Sequence, residues 1–147
     1  MKSIDIRNKK ASFEFSFLEK YVAGMVLTGT EIKSLRLGKG NITDGFCVIQ
    51  NGEMIARNLE IAQYEKGSIY NHEPKRDRKL LLKKSEINKL LGKLKDQGLT
   101  IIPLRLFLSD EGWAKLEIAL AKGKKLFDKR QDIKKKDVQR EIQRKLK

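Results

Sequence analysis

Cysteine, proline and histidine are nearly missing from this chain, which has one Cys, two Pro and one His in 147 residues. A single cysteine, Cys47, excludes an internal disulfide. Its place in the apolar run FCVIQ marks it as a small buried hydrophobe suited to a reducing compartment. The lone histidine, His72, lies in a polar loop with no cysteine or second imidazole to share a zinc ion, so no metal site is expected. Neither a Gly-x-Ser-x-Gly elbow nor a glycine-rich phosphate loop ending in Gly-Lys-Ser/Thr occurs, and no pair of carboxylates stands out among 19 acids and 33 bases. Neither an enzyme nor a cofactor is therefore expected. No apolar run approaches the roughly 18 residues that a membrane span requires. The opening MKSIDIRNKK has no apolar stretch of signal-peptide length, so a soluble, cytoplasmic chain without membrane contact is expected.

What is abundant is positive charge. The formal net charge is +14, a field that opposes compaction unless a polyanion shares it. Nucleic acid is the favoured partner, with an anionic membrane surface behind it. Residues 122–147 hold 12 Lys or Arg against 4 Asp or Glu, whereas the other 121 residues hold 21 against 15. A folded body over 1–121 followed by a basic tail over 122–147 is the expected division, and a chain of this length is one domain's worth.

Within the body, SFEFSF alternates Phe13, Phe15 and Phe17 with small or polar residues, and YVAGMVLTG continues in β-type residues with Gly24 at a bend. TEIKSLRLGKG predicts a short helix with Thr30 as its N-cap, stopped by Gly38 and Gly40. Asn51-Gly52 between two β-rich runs predicts a hairpin with a type I′ turn. Residues 65–79 read as an exposed loop, and Ser85 as the cap of a helix carrying Ile87, Leu90, Leu91 and Leu94 on one face. Leu80 to Leu82 read as core. LTIIPLRLFL and WAKLEIALA are two further strands; in the second, Trp113, Leu116, Ile118 and Leu120 supply the apolar side. About six antiparallel strands and two helices fit a small closed barrel of the oligonucleotide-binding type. In the tail, Val138, Ile142 and Leu146 form a narrow stripe on a basic helix that needs a partner to form.

Four blocks, NKKASFEF, AGMVLTGTEIKSLRLGKGNITDG, PKRDRKLLLKKSEI and ALAKGKKLFDKRQDIKKKD, taken in this order, resemble the signature segments of the SsrA-binding protein family, also called small protein B. The resemblance runs from Asn8 to Asp137. It implies a six-stranded oligonucleotide-binding barrel with flanking helices, and a C-terminal tail disordered when free. It also implies binding of transfer-messenger RNA through its tRNA-like domain, in the rescue of stalled ribosomes. There the protein stands in for a missing anticodon stem, and the tail enters the decoding centre and the empty mRNA channel. Elongation factor Tu and alanyl-tRNA synthetase are implied as indirect partners through the RNA, and nothing requires more than a monomer.

By motif position, the implied RNA-binding residues are Asn8, Lys9, Lys10, Glu31, Lys33, Ser34, Arg36, Lys39, Asn41, Arg76, Arg78 and Lys79. Glu31 is the odd acid in this set. It reads either as an RNA acceptor or orienter of Arg36 and Lys33, or as an ordinary acid at a helix N-terminus. The implied decoding-centre and tail residues are Gly123, Lys124, Lys125, Phe127, Asp128, Lys129, Arg130, Val138 and Ile142, with Phe127 placed to stack on an exposed base. Three positions depart from the family pattern: Val22 where Glu is frequent, Lys83 where Asn is common, and Phe127 where His or Tyr is usual. The competing expectation is a non-selective basic barrel that binds RNA or associates with ribosomes. A chain with ten aromatics, few of them free of the core, is poorly supplied for that role.

Overall fold

The computed structural model describes residues 4–67, 71–96 and 98–124. Its elements in chain order are β1 (Asp5–Arg7), α1 (Ala11–Glu14), β2 (Phe15–Met25), α2 (Gly29–Arg36), β3 (Gly40–Asn41), β4 (Phe46–Gln50), β5 (Glu53–Arg57), β6 (Glu60–Ile61), β7 (Arg78–Leu81), α3 (Lys84–Lys93), β8 (Leu99–Leu108) and β9 (Ala114–Gly123).

Six of the strands close on themselves. β8 pairs β4, β4 pairs β5, β5 pairs β7, β7 pairs β2, β2 pairs β9, and β9 returns to β8, every pairing antiparallel. Closure removes the free edges that an open sheet of this size would expose. β1 lies outside the ring on β8, and β3 and β6 form a separate two-stranded ribbon. A closed antiparallel barrel of about six strands is as expected, but β7 replaces one expected strand, because SFEFSF and YVAGMV belong largely to the single long β2. The small strands β1, β3, β6 and β7 and the four-residue α1 escaped the periodicity because runs of two to four residues carry too few positions to show a period.

Two strands change partners along their length, and the backbone marks where. Gly24 pairs with Leu81 of β7 and Lys115 of β9, so it is the corner at which β2 passes from one neighbour to the other. The register of β2 against β9 shifts between Phe17 and Glu19, and that of β8 against β9 between Pro103 and Arg105. Bulges of this kind give the extra bending that a small barrel needs. The hairpin turn at Asn51-Gly52 has φ of 52° and 75°, the two positive values of a type I′ turn. The core fills the ring with Ala23, Met54, Leu80, Ile101, Leu116 and Ile118, together with the buried Cys47. Leu35 of α2 and Leu90 of α3 join this core, both with no exposed surface.

Several local expectations are corrected. Thr28, not Thr30, caps α2, and α3 starts at Lys84 with Lys83 as its cap, whose N–H donates to Glu86 rather than being replaced by Ser85. Phe13 belongs to α1, while Phe15 and Phe17 pack half-buried on a small second cluster around Ile102 and Ala121. Residues 78 and 79 leave the expected loop to form β7. Leu80 is buried there, but alternation turns Leu81 outward at 55% exposure. His72 is not on an exposed loop but 5% exposed, with Nε2 at 2.8 Å from the Ile61 carbonyl and Nδ1 at 2.8 Å from the Thr30 hydroxyl. β9 continues through Lys122 and Gly123, two residues past the expected end of the folded body.

α3 is fastened to the barrel by Glu19 of β2. Its carboxylate accepts from Lys93 and from the Tyr21 hydroxyl (2.6 Å), with Lys89 at 3.8 Å. The hydrogen bonds from Lys93 and Tyr21 bring the Glu19 carboxyl down to about 2, and the same contact pushes Tyr21 up to about 12. A depressed acid contributes stability above its unfolded value, and that contribution is lost as pH falls toward the folded value. Urea midpoints of the wild type should therefore drop between about pH 4.5 and 2. The Glu19→Gln variant should show a shallower drop in that window; equal slopes for the two proteins would show that this tether is silent.

Candidate nucleic-acid interface

The sequence TGTEI places an acid three residues after a threonine, and α2 begins there with a capping box. Thr28 Oγ1 accepts the Glu31 N–H, and Glu31 Oε1 accepts the Thr28 N–H at 2.9 Å. Glu31 has no exposed surface, so its charge needs further donors, because an unpaired buried carboxylate is very costly. Two arginines supply them. Arg76 Nη2 reaches Oε1 at 2.5 Å and Arg78 Nε reaches Oε2 at 2.5 Å. Arg78 is itself fully buried, and donates its remaining N–H groups to the carbonyls of Leu59 (2.6 Å) and Pro74 (2.9 Å). Burial by itself would raise the Glu31 carboxyl. Hydrogen bonds from Arg76, the Thr28 N–H and Arg78 outweigh it and hold the group below the usual carboxylate range.

This network sorts the expected RNA-binding residues. Glu31, Ser34 and Arg78 are buried and offer nothing to an RNA lying on the surface. Their place inside follows from charge pairing and from Ser34 sharing the inner side of α2 with Leu35. Glu31 is thus the helix N-terminal acid, with Arg76 and Arg78 as partners in place of Lys33 and Arg36. Arg76 is partly exposed, and Lys9, Lys10, Lys33, Arg36, Lys39, Asn41 and Lys79 are exposed. Lys79 pairs with Glu53 across the β5–β7 ladder at 3.1 Å. Asn8 fixes the β1–α1 corner, its Nδ2 donating to Pro103 O and its backbone N–H to Leu104 O, both at 2.9 Å. Asn41 Oδ1 accepts the Thr43 N–H and shapes the following turn. Gly40 is close-packed: a Cβ there would lie 3.0 Å from both Ile6 and Leu35, so β1 and α2 press on it from two sides.

Two grooves flank α2. One is an apolar cleft of about 620 Å³, walled by Val26, Leu27, Ile32, Leu81, Trp113 and Lys115. Trp113 is 67% exposed there, and the Arg36 guanidinium reaches the turn at Gly112 beside it. Trp113 was expected in the core, but its phase says otherwise. It shares odd parity with Lys115 and Glu117, whereas Leu116, Ile118 and Leu120 are even, and successive strand residues face opposite sides. Leu81 was misassigned for the same reason. The second groove lies where Ser34, Leu37 and Lys39 meet the segment from Gln63 to Lys66.

The last described residues are held to the start of β2. Gly123 pairs with Phe15 and Lys122 with Ser16, and the Lys124 N–H donates to Glu14 O at 2.9 Å. Gly123 and Lys124 therefore belong to the barrel's last ladder. Lys125, Phe127, Asp128, Lys129, Arg130, Val138 and Ile142 lie outside the described residues.

The SmpB protein family model matches residues 5–147. The chain belongs to the SmpB family. It is 57% identical over 144 residues to an SsrA-binding protein of Cytophaga hutchinsonii, covering 98% of this chain and 94% of that one. It is 54% identical over 144 residues to one of Flavobacterium psychrophilum, covering 98% and 96%. A solved structure described as "tmRNA-SmpB: a journey to the center of the bacterial ribosome" superposes with a TM-score of 0.71 at 46% identity, covering 84% of this chain and 86% of that one. Against the family pattern, Val22 is 53% exposed and Lys83 is an exposed cap, so both departures alter surface chemistry and not packing.

The Glu31 cluster makes a stability ranking that urea denaturation can check. Glu31→Gln strands a fully buried Arg78 cation and should cost about 3–5 kcal/mol. Arg76→Ala, which removes a partly exposed partner and leaves the Glu31–Arg78 pair intact, should cost clearly less. A reversed order would mean that Arg78 is held by the carbonyls alone.

Proposed function

We propose that this chain is a non-catalytic adaptor that binds transfer-messenger RNA through the RNA's tRNA-like part and brings it to ribosomes stalled without a stop codon. The observation that carries this reading is Trp113. A ring that large, left 67% exposed in an apolar cleft beside Lys115 and within reach of Arg36, is a platform for an unstacked base with cations for the adjoining phosphates. Membership of the SmpB family, whose relatives carry the name SsrA-binding protein, supports the choice of RNA. The exposed bases Lys9, Lys10, Lys33, Arg36 and Lys39 supply the sequence-independent part of the affinity.

On this proposal the tail, with Lys125, Phe127, Asp128, Lys129, Arg130, Val138 and Ile142, enters the decoding centre and the mRNA channel. Elongation factor Tu and alanyl-tRNA synthetase act with the protein only through the RNA, and it works in the cytoplasm as a monomer. None of the described helices is long and apolar enough to cross a membrane, and no cluster of metal-binding side chains occurs among the described residues. Peptide-bond chemistry then belongs to the ribosome, and this chain contributes shape and charge.

Trp113→Ala should leave the melting temperature nearly unchanged and weaken binding to the tRNA-like RNA about 5- to 150-fold, the equivalent of one lost base stack of roughly 1–3 kcal/mol. Unaltered affinity in a filter-binding titration would remove the platform from the interface. With 6–10 phosphate contacts, affinity should fall by about 10³–10⁵ between 50 and 200 mM salt, and a flat response would refute the role of the exposed bases. A chain ending at Lys124, which preserves the whole β9 ladder, should bind the RNA like the full protein and fail to rescue stalled ribosomes in a coupled translation assay. Loss of RNA binding in that truncation would place the RNA contact on the tail.

A further inference from the structure

A groove of about 230 Å³ opens beside the end of β9, far from Trp113, and its charge is the reverse of the chain's. Its rim carries Glu14 and Asp44, its walls include Phe15, Phe46 and Ile102, and no Lys, Arg or His lines it. Neither carboxylate makes a hydrogen bond or ion pair among the described residues. By contrast, Asp5, Glu19, Glu31, Glu53, Glu65 and Asp77 are each paired with a Lys or Arg. In a chain of net charge +14, two unpaired acids on one groove suit a cation and repel a phosphate.

The backbone around both acids is fixed. Gly45, next to Asp44, admits no side chain, since a Cβ there would collide with Leu59 and lie 3.0 Å from Pro103. Its N–H donates to the Ile42 carbonyl at 3.1 Å, and the Asp44 carbonyl accepts from Asn58 Nδ2 at 3.0 Å. Glu14 ends α1, and its carbonyl accepts the Lys124 N–H at 2.9 Å. Both acids thus hold the fold through their backbone and leave their carboxylates for a ligand, as a preorganised site requires. The next residue of the chain is Lys125, one Cα step of about 3.8 Å beyond Lys124. A lysine carries its ammonium on a flexible four-carbon stem that lies readily along apolar surface. Phe46, 40% exposed, offers such a surface, and a ring face under an ammonium adds attraction. A cation tethered this close acts at an effective concentration on the order of millimolar.

We propose that this groove is a receptor for the first residues of the chain's own basic tail, with the Lys125 ammonium held by the Glu14 and Asp44 carboxylates. The contact gives the tail a set direction at the end of β9, so that the bases beyond it start from one side of the barrel. The inference rests on the adaptor reading only for what the tail then does. The contact itself is a property of the protein without RNA.

The contact is read in the full-length protein, without RNA, from the rate at which an acetylating reagent modifies Lys125. Lys147 in the same chain serves as the reference amine. The Glu14→Gln/Asp44→Asn variant should acetylate at Lys125 about two- to fivefold faster than wild type, the worth of one partly exposed ion pair. Its melting temperature should stay unchanged, because both residues keep their backbone hydrogen bonds. Equal Lys125 rates in the two proteins would overturn the site. Rescue of stalled ribosomes tests the use of the contact. Glu14→Lys and Lys125→Glu should each lower rescue about twofold or more, and the two together should recover part of the loss. An exchange that recovers nothing, with RNA affinity intact, would overturn the proposal and leave the acids to a basic segment of another protein. A wild type that does not rescue at all would instead refute the adaptor reading, and the acetylation rates would still decide the groove.

Discussion

A carboxylate with no water contact, in a chain that carries 33 bases, is held by two arginines that arrive from forty-five and forty-seven residues away. Glu31 caps its own helix, accepts from Arg76 and Arg78, and through Arg78 is joined to the carbonyls of Leu59 and Pro74. Two separate stretches of chain, one at Leu59 and one over 74–78, are thereby locked to one helix end. A buried pair of this kind does not by itself stabilise strongly, because desolvation offsets much of the attraction. What it does here is fix geometry: α2 cannot rotate or slide without stranding a buried charge.

Both grooves that flank α2 inherit that geometry. Ile32 faces the Trp113 cleft, while Ser34 and Leu37 face the groove at Tyr64, so one helix sets the spacing of two surfaces. The barrel contributes rigidity at low cost in chain length, since the closed ring of six strands leaves no long free edge. A rigid body of this size with fixed cations suits recognition of a folded RNA, whose phosphates are themselves fixed in space. The end of β9 is fixed in the same way, because the Lys124 N–H donates to the Glu14 carbonyl at the far end of β9 from Trp113. The Trp113 cleft and Lys124 therefore lie at opposite ends of one strand.

Much of the ring was legible in the sequence: the Asn51-Gly52 hairpin, the two long strands at β8 and β9, the burial of Cys47 and the bend at Gly24 are written in local patterns of two to ten residues. The charge excess named a polyanion before any fold was known, because net charge is a property of composition and not of packing. Trp113 and Leu81 were also legible, had strand parity been weighed above hydrophobicity: Leu81 falls on the outward phase of β7, and Trp113, just before β9, on the outward phase that Lys115 and Glu117 continue.

Other features had no local signature. Nothing in KRDRK says which arginine is buried; Arg78 is inside and Lys79 outside because β7 alternates and because Glu31 waits on the inner side. His72 sits among polar residues yet is buried, since its two ring nitrogens meet Thr30 and Ile61, partners forty-two and eleven residues away. Composition and short-range periodicity determined that this chain would be a basic, mainly β body suited to a polyanion, because hydrophobic phase and net charge are readable residue by residue. Which charges stand exposed and which hold α2 was decided only by the closed barrel, because burial depends on contacts between segments that no local window contains.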